Sequence, residues 1–195
     1  MLIGIATTST VFGIKPRLQV EGVDSHTSTC SLTRNSANAH GSYLTFGKSR
    51  GTSTAATTIV QNDDTIGTIT FNGADGTNLD HVFAEIKGQV DGTPGENDVP
   101  GRLTFFTTPD GTITSTERLR IHANGRVGIG NATNNANDVA LFQVVADDGE
   151  ATDLYVGQFT NSEATAGQSF GVNIIAGSSA TDHGLRVRNR ANDTT

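Results

Sequence analysis

The residues in this 195-residue chain that come nearest to a catalytic arrangement lie toward its end. Gly167-Gln168-Ser169-Phe170-Gly171 fits G-x-S-x-G, the turn that presents a nucleophilic serine, and Asp182 and His183 follow in the order a hydrolase uses. That turn needs a strand before it and a helix after it. The residues after Gly171 are Val172-Asn173-Ile174-Ile175-Ala176-Gly177, which read as a strand closing on glycine. Neighbouring Asp182 and His183 would also point to opposite faces of a strand. The motif is therefore read as structural.

Other chemistry is equally poorly served. His26, His40, His81, His122 and His183 are spread singly, without the paired spacing that metal ligation needs. Asn62-Asp63-Asp64 and Asp147-Asp148-Gly149-Glu150 read as solvated acidic turns and lack a full EF-hand pattern. Gly128-x-Gly130 lacks the third glycine of a dinucleotide fingerprint. The Asn131 and Asn192 sequons carry no meaning without a secretory signal, and Met1–Ala6 has no basic n-region. Cys30 stands alone, so no intrachain disulfide can form, and it reads as a small, semi-buried thiol. Paired carboxylates could in principle cut polysaccharide, but a sugar cleft needs aromatic walls. Trp is absent and only Tyr43 and Tyr155 are present, which argues against one. The expectation is a non-enzymatic chain with no catalytic, cofactor-binding or metal-binding residues and no cofactor.

The elements that would position any site are short strands. Val82, Ala84, Ile86, Gly88 and Val90 alternate with Phe83, Glu85, Lys87 and Gln89, which predicts a strand with one face inward. Shorter alternations surround Ile69 and Phe71, Leu103 and Phe105, Leu119 and Ile121, and Leu185 and Val187. Asp75-Gly76, Asp91-Gly92, Pro109-Asp110-Gly111 and Asn124-Gly125 separate these runs, and each tolerates the positive φ of a tight turn. Gly92–Gly101 and the Asn-rich stretch 131–138 read as loops. No sustained helical spacing occurs, and Thr (29 residues) and Gly (23) are abundant, so the fold class is all-β.

Composition limits the core. Val, Ile, Leu and Phe number 45, about 23% of the chain and just above the roughly 20% below which chains stay disordered. Such a chain is helped by burying surface against copies of itself. A net charge of −7 argues against nucleic acid as partner, and no apolar run is long enough to insert in a membrane.

One register is repeated. Ile3-Gly4-Ile5 recurs as Val127-Gly128-Ile129, and Leu18-Gln19-Val20 as Phe142-Gln143-Val144, both 124 positions on. The expected organisation is a first β module at 1–130, a linker at 131–138 and a related, truncated module at 139–195.

The stretch Gly101-Arg102-Leu103-Thr104-Phe105-Phe106-Thr107-Thr108-Pro109-Asp110-Gly111, then Thr116–Ile121 and Asn124-Gly125-Arg126-Val127-Gly128-Ile129-Gly130, resembles a module of phage tail fibres. So do Arg17–Gly22, Leu44–Gly51 and Asp91–Gly95. The likeness is to marine-phage and cyanophage fibres, in the linker that often precedes an intramolecular chaperone domain. It spans residues 3–130 and, more loosely, 139–190. It implies elongated, serial β modules of short antiparallel strands and hairpins, intertwined as a homotrimer. Three chains would pool their inward Val, Ile, Leu and Phe into one core. The implied partners are the chain itself, other tail or baseplate proteins, and host surface glycan touched by loops such as 131–138 or Gly92–Gly101. The implied location is the virion, after synthesis in the host cytoplasm. Family members carry an attachment region before this module and often a self-cleaving chaperone after it. Neither is visible here, which suggests the middle of a fibre. Arg102, Arg118, Arg120 and Arg126 are expected on a polar face, with Glu117 paired to one of them within or between chains. Gly128 and Gly130 are expected to let strands crowd a three-fold axis.

Overall fold

A computed structural model describes residues 9–130 and 141–145, and the backbone of Leu2 and Ile3. The chain divides into two units, 1–151 and 152–195, and the second lies outside the described residues. So do the G-x-S-x-G motif, Asp182, His183, the 131–138 linker and both sequons. Every regular element described is a strand, in agreement with the all-β expectation.

β1 (Leu2–Ile3) and β2 (Gln19–Val20) form a parallel pair. β3 (Thr65–Asn72), β4 (Val82–Val90), β5 (Gly101–Thr107), β6 (Thr116–Ile121), β7 (Val127–Gly130) and β8 (Phe142–Val145) form one sheet in sequence order. Pairing is antiparallel from β3 to β7 and parallel between β7 and β8. The four turn signals sit between those antiparallel strands, with positive φ at Gly76, Gly92, Gly111 and Gly125. The Asn124-Gly125 turn is closed by the His122 amide donating to the Arg126 carbonyl at 2.9 Å.

Both copies of the repeated motif are parallel strand pairs. Their registers differ by two residues: Ile3 faces Val20, whereas Val127 faces Phe142 and Ile129 faces Val144. β8 thus joins the sheet built by β3–β7.

Three bulges re-phase the strands. Ile66 is extra in β3, Phe83 in β4 and Arg118 in β6. A bulge leaves one residue out of the alternation and turns its neighbours. The Arg118 bulge lets Glu117 pair with Phe106 while Leu119 pairs with Phe105. In a regular strand Glu117 would share Leu119's face. Here it meets Arg120.

Gly130 closes β7 at φ +78, and a Cβ there would overlap the Val145 carbonyl oxygen. Backbone cannot yield as a side-chain tip can. Gly130→Ala is expected to detach β8 and lower stability by roughly 2 kcal/mol or more, read from the denaturation midpoint. An unchanged midpoint would remove β8 from the folded sheet.

Candidate functional site

Register decides which side chains share a face. One rung crosses all six strands as Ile69, Ile86, Phe105, Leu119, Ile129 and Val144. The next reads Gly67, Gly88, Leu103, Ile121, Val127 and Phe142. No residue of either rung is fully buried, and Phe71 (54%) and Phe142 (61%) are largely exposed on this face. Its exposed Ile69, Phe71, Leu103, Ile121, Phe142 and Val144 leave apolar area on the order of 500 Å² open, within the range that marks an interaction surface. Phe46 covers one spot: a Cβ on Gly67 would overlap the Phe46 side chain, so only glycine admits it there.

The opposite face is polar, and it holds two of the three side chains the sheet buries fully; the third, Val90 at 4%, closes β4 on the apolar side. Thr104 is 0% exposed and Glu85 6%. In the single chain the expected inward apolar face is fully buried at Val90 and only half-buried at Ala84, Ile86 and Gly88, while long polar side chains fold over each other on the other side. The Thr104 hydroxyl donates to the Gln89 amide oxygen at 2.9 Å. Glu85 accepts from Ser115 at 2.6 Å and pairs with Lys87 at 2.9 Å, whose ammonium lies 4.4 Å from the Phe106 ring centre. Arg120 forks onto both oxygens of Glu117 at 2.7 Å. These bonds hold the Arg120 guanidinium above its ordinary pKa despite burial. The expected Glu117 pair thus forms within one chain. Among the described residues no buried side-chain polar atom lacks a partner.

Asn62-Asp63-Asp64 is the exposed turn expected, and it also works as a clasp. Arg50 forks onto Asp64 at 2.7 and 2.8 Å, and with the Gln61 amide holds that carboxyl well below the usual carboxylate range. The Asn62 side-chain oxygen accepts the Gly92 amide at 2.7 Å. Arg102, buried at 8% side-chain exposure, donates to Asp63 at 2.7 Å, to Asp91 at 3.3 Å and to the Val90 carbonyl at 3.0 Å. Partial burial pushes Asp91 up, but the Ala123 amide, Arg102 and His122 outweigh it and leave its carboxyl below the ordinary range. His122 Nδ1 lies 3.5 Å from Asp91. Among the described residues no three of His, Cys, Asp and Glu gather as a metal site, and no helix is long and apolar enough to cross a membrane.

At the far end of the sheet, the β3–β4 and β5–β6 loops enclose a cleft of about 410 Å³. The bulged Phe83 forms its apolar wall with Pro109 and Ile113. One edge of the Phe83 ring lies against Gly73, and the side chain stays largely exposed. Asp75, His81, Thr108 and Asp110 supply the polar lining. The Asn78 and Thr77 amides hold Asp75 below its ordinary pKa, and His81 lies 3.5 Å from it. Sequence reading missed this cleft, because the Phe83 bulge that turns the ring outward is a property of strand pairing. The Gly92–Gly101 loop lies at the opposite end of β4, as a small turn closed between Gly95 and Asp98.

No family model and no curated protein matches this chain. Among solved structures it is similar to the carboxy-terminal domain of the bacteriophage T5 L-shaped tail fibre, with a TM-score of 0.49 and 16% identity over 80% of this chain and 63% of that one. It is also similar to that domain with its intramolecular chaperone, with a TM-score of 0.42 and 16% identity over 51% of this chain and 25% of that one. The chain thus spans 63% and 25% of those two chains.

Proposed function

We propose that this chain is a structural, non-enzymatic segment of a phage tail fibre, working as a homotrimer that holds a receptor-binding region away from the virion. The observation that carries this is the six-stranded apolar face left open by a single chain. Water should not be left against two rungs of Ile, Leu, Val and Phe when copies of the same face can cover one another. The chain's own polar network faces the other way and is already satisfied. The motifs at 101–130 support the fibre reading, the marine-phage kinship and the place upstream of a chaperone domain. Serial modules joined at 131–138 would lengthen the shaft. The partners would be two further copies and neighbouring tail or baseplate proteins, assembled in the virion after synthesis in the host cytoplasm. Light scattering should return close to three times 20.3 kDa. A clean monomer at micromolar concentration would sink the trimeric shaft.

The cleft favours a second reading, in which the segment also touches host glycan. An exposed aromatic wall beside the Asp75 carboxylate and the His81 ring offers the apolar surface and the hydrogen-bonding groups a sugar ring uses. On a glycan array, Phe83→Ala should lose most of any binding the native chain shows, about tenfold or more. Equal binding by both proteins would exclude the cleft.

A further inference from the structure

The apolar face lacks a cover, and one segment of the chain lacks a surface. All residues from Val23 to Lys48 are exposed, Cys30 among them, so that thiol is not half-buried as expected, because its segment packs on no neighbour. Every hydrogen bond made by residues 24–40 reaches a partner no more than four positions away. A stretch this long without structure of its own is uncommon inside a domain and calls for a function. Disordered linkers are polar throughout, whereas this one carries Leu32, Tyr43, Leu44 and Phe46. Tyr43 is 72% exposed and Leu44 69%.

Its last part shows what it fits. Phe46 already sits on Gly67, at the β3 edge of the apolar face. Leu44, two residues earlier, would share that side in an extended chain, yet it stands in solvent. The arm therefore leaves its own sheet after one contact. Beside Phe46 is a hollow of about 290 Å³ lined by Ile66, Ile69, Ile86, Gly88 and Leu103. Nothing lies within 4 Å of where a Gly88 Cβ would be. An extended arm of this length reaches on the order of 80 Å, ample to cross to a neighbour.

We infer that the 23–48 arm of each chain seats on the apolar sheet face of the next copy, with Leu44 filling the hollow at Gly88. The occupant of the face is thus a second copy of this chain, and the three chains exchange arms. This rests on the trimeric reading and specifies how the faces are covered.

The test uses two full-length chains of different tag size, both carrying Cys30→Ser. One also carries Leu44→Cys and the other Gly88→Cys, and they are co-expressed and treated with a short bismaleimide. The expected result is a covalent species containing one chain of each size. Absence of that species would overturn the arm exchange, as would linkage confined to single chains in a doubly substituted Leu44→Cys, Gly88→Cys protein. Light scattering on the same samples separates the two ideas. A trimer without interchain linkage rejects the exchange alone, and a monomer rejects the trimeric reading with it.

Discussion

An Ile86→Asp chain is expected to run near 20.3 kDa in light scattering under conditions where the native chain runs near three times that mass. Ile86 sits in the rung Ile69–Ile86–Phe105–Leu119 and lines the hollow beside Phe46. In a single chain this position is partly open, so a carboxylate there keeps water and the monomer folds. Burying it between copies costs about 3 kcal/mol per chain, on the order of 10 for three. That is enough to shift association by several decades. Burial disfavours the charged form, so the introduced carboxyl should titrate high and assembly should partly recover as pH falls toward about 5. Thr68→Asp is the control. It lies on the polar face opposite Lys87 and should leave the mass unchanged. Equal masses for native and Ile86→Asp proteins would mean that this face is not the contact between chains.

Arg102→Met is expected to give the largest loss of stability among polar substitutions, about 3 kcal/mol. The thioether keeps much of the volume, so the loss reports the charge. Removing the guanidinium leaves Asp91 partly buried, and Asp63 and the Val90 carbonyl lose a donor. Adding Asp91→Asn should recover part of the loss, since the two residues are coupled. Thermal midpoints compared at one protein concentration would show this. The pH dependence has a fixed sign. Asp91 has a folded pKa below its unfolded value, so its contribution is present above about pH 4 and is lost as pH falls through the folded pKa. Arg102→Met should flatten that acid limb. A midpoint within a degree of native at pH 7 would remove the clasp from the list of stabilising features.

Local signals carried much of this fold and little of its sidedness. Alternation over Val82–Val90 marks β4 with its observed limits, and Asn124-Gly125 marks the β6–β7 turn. Both depend on adjacent residues alone. The face that would stay open was not legible, because Glu85 and Thr104 are buried by Lys87, Gln89, Ser115 and other side chains that only pairing brings beside them. The 62–64 clasp depends on Arg50 and on Arg102, 39 positions from Asp63. The three bulges have no compositional mark, so strict alternation places Glu117 on the wrong face. The repeat at offset 124 picked out four strands but said nothing of their parallel pairing or of the two-residue difference in register.

The Arg118 bulge has a genetic consequence. Because Arg118 is the one residue of β6 left out of the pairing with β5, an in-frame loss of its codon would close the strand into regular alternation. Glu117 and Leu119 would both keep their present faces. The same three-base loss at Thr104 has no spare residue to absorb it, and every side chain on one side of the gap would change face. Two deletions of equal length, on neighbouring strands of one sheet, would thus have unequal fates under selection.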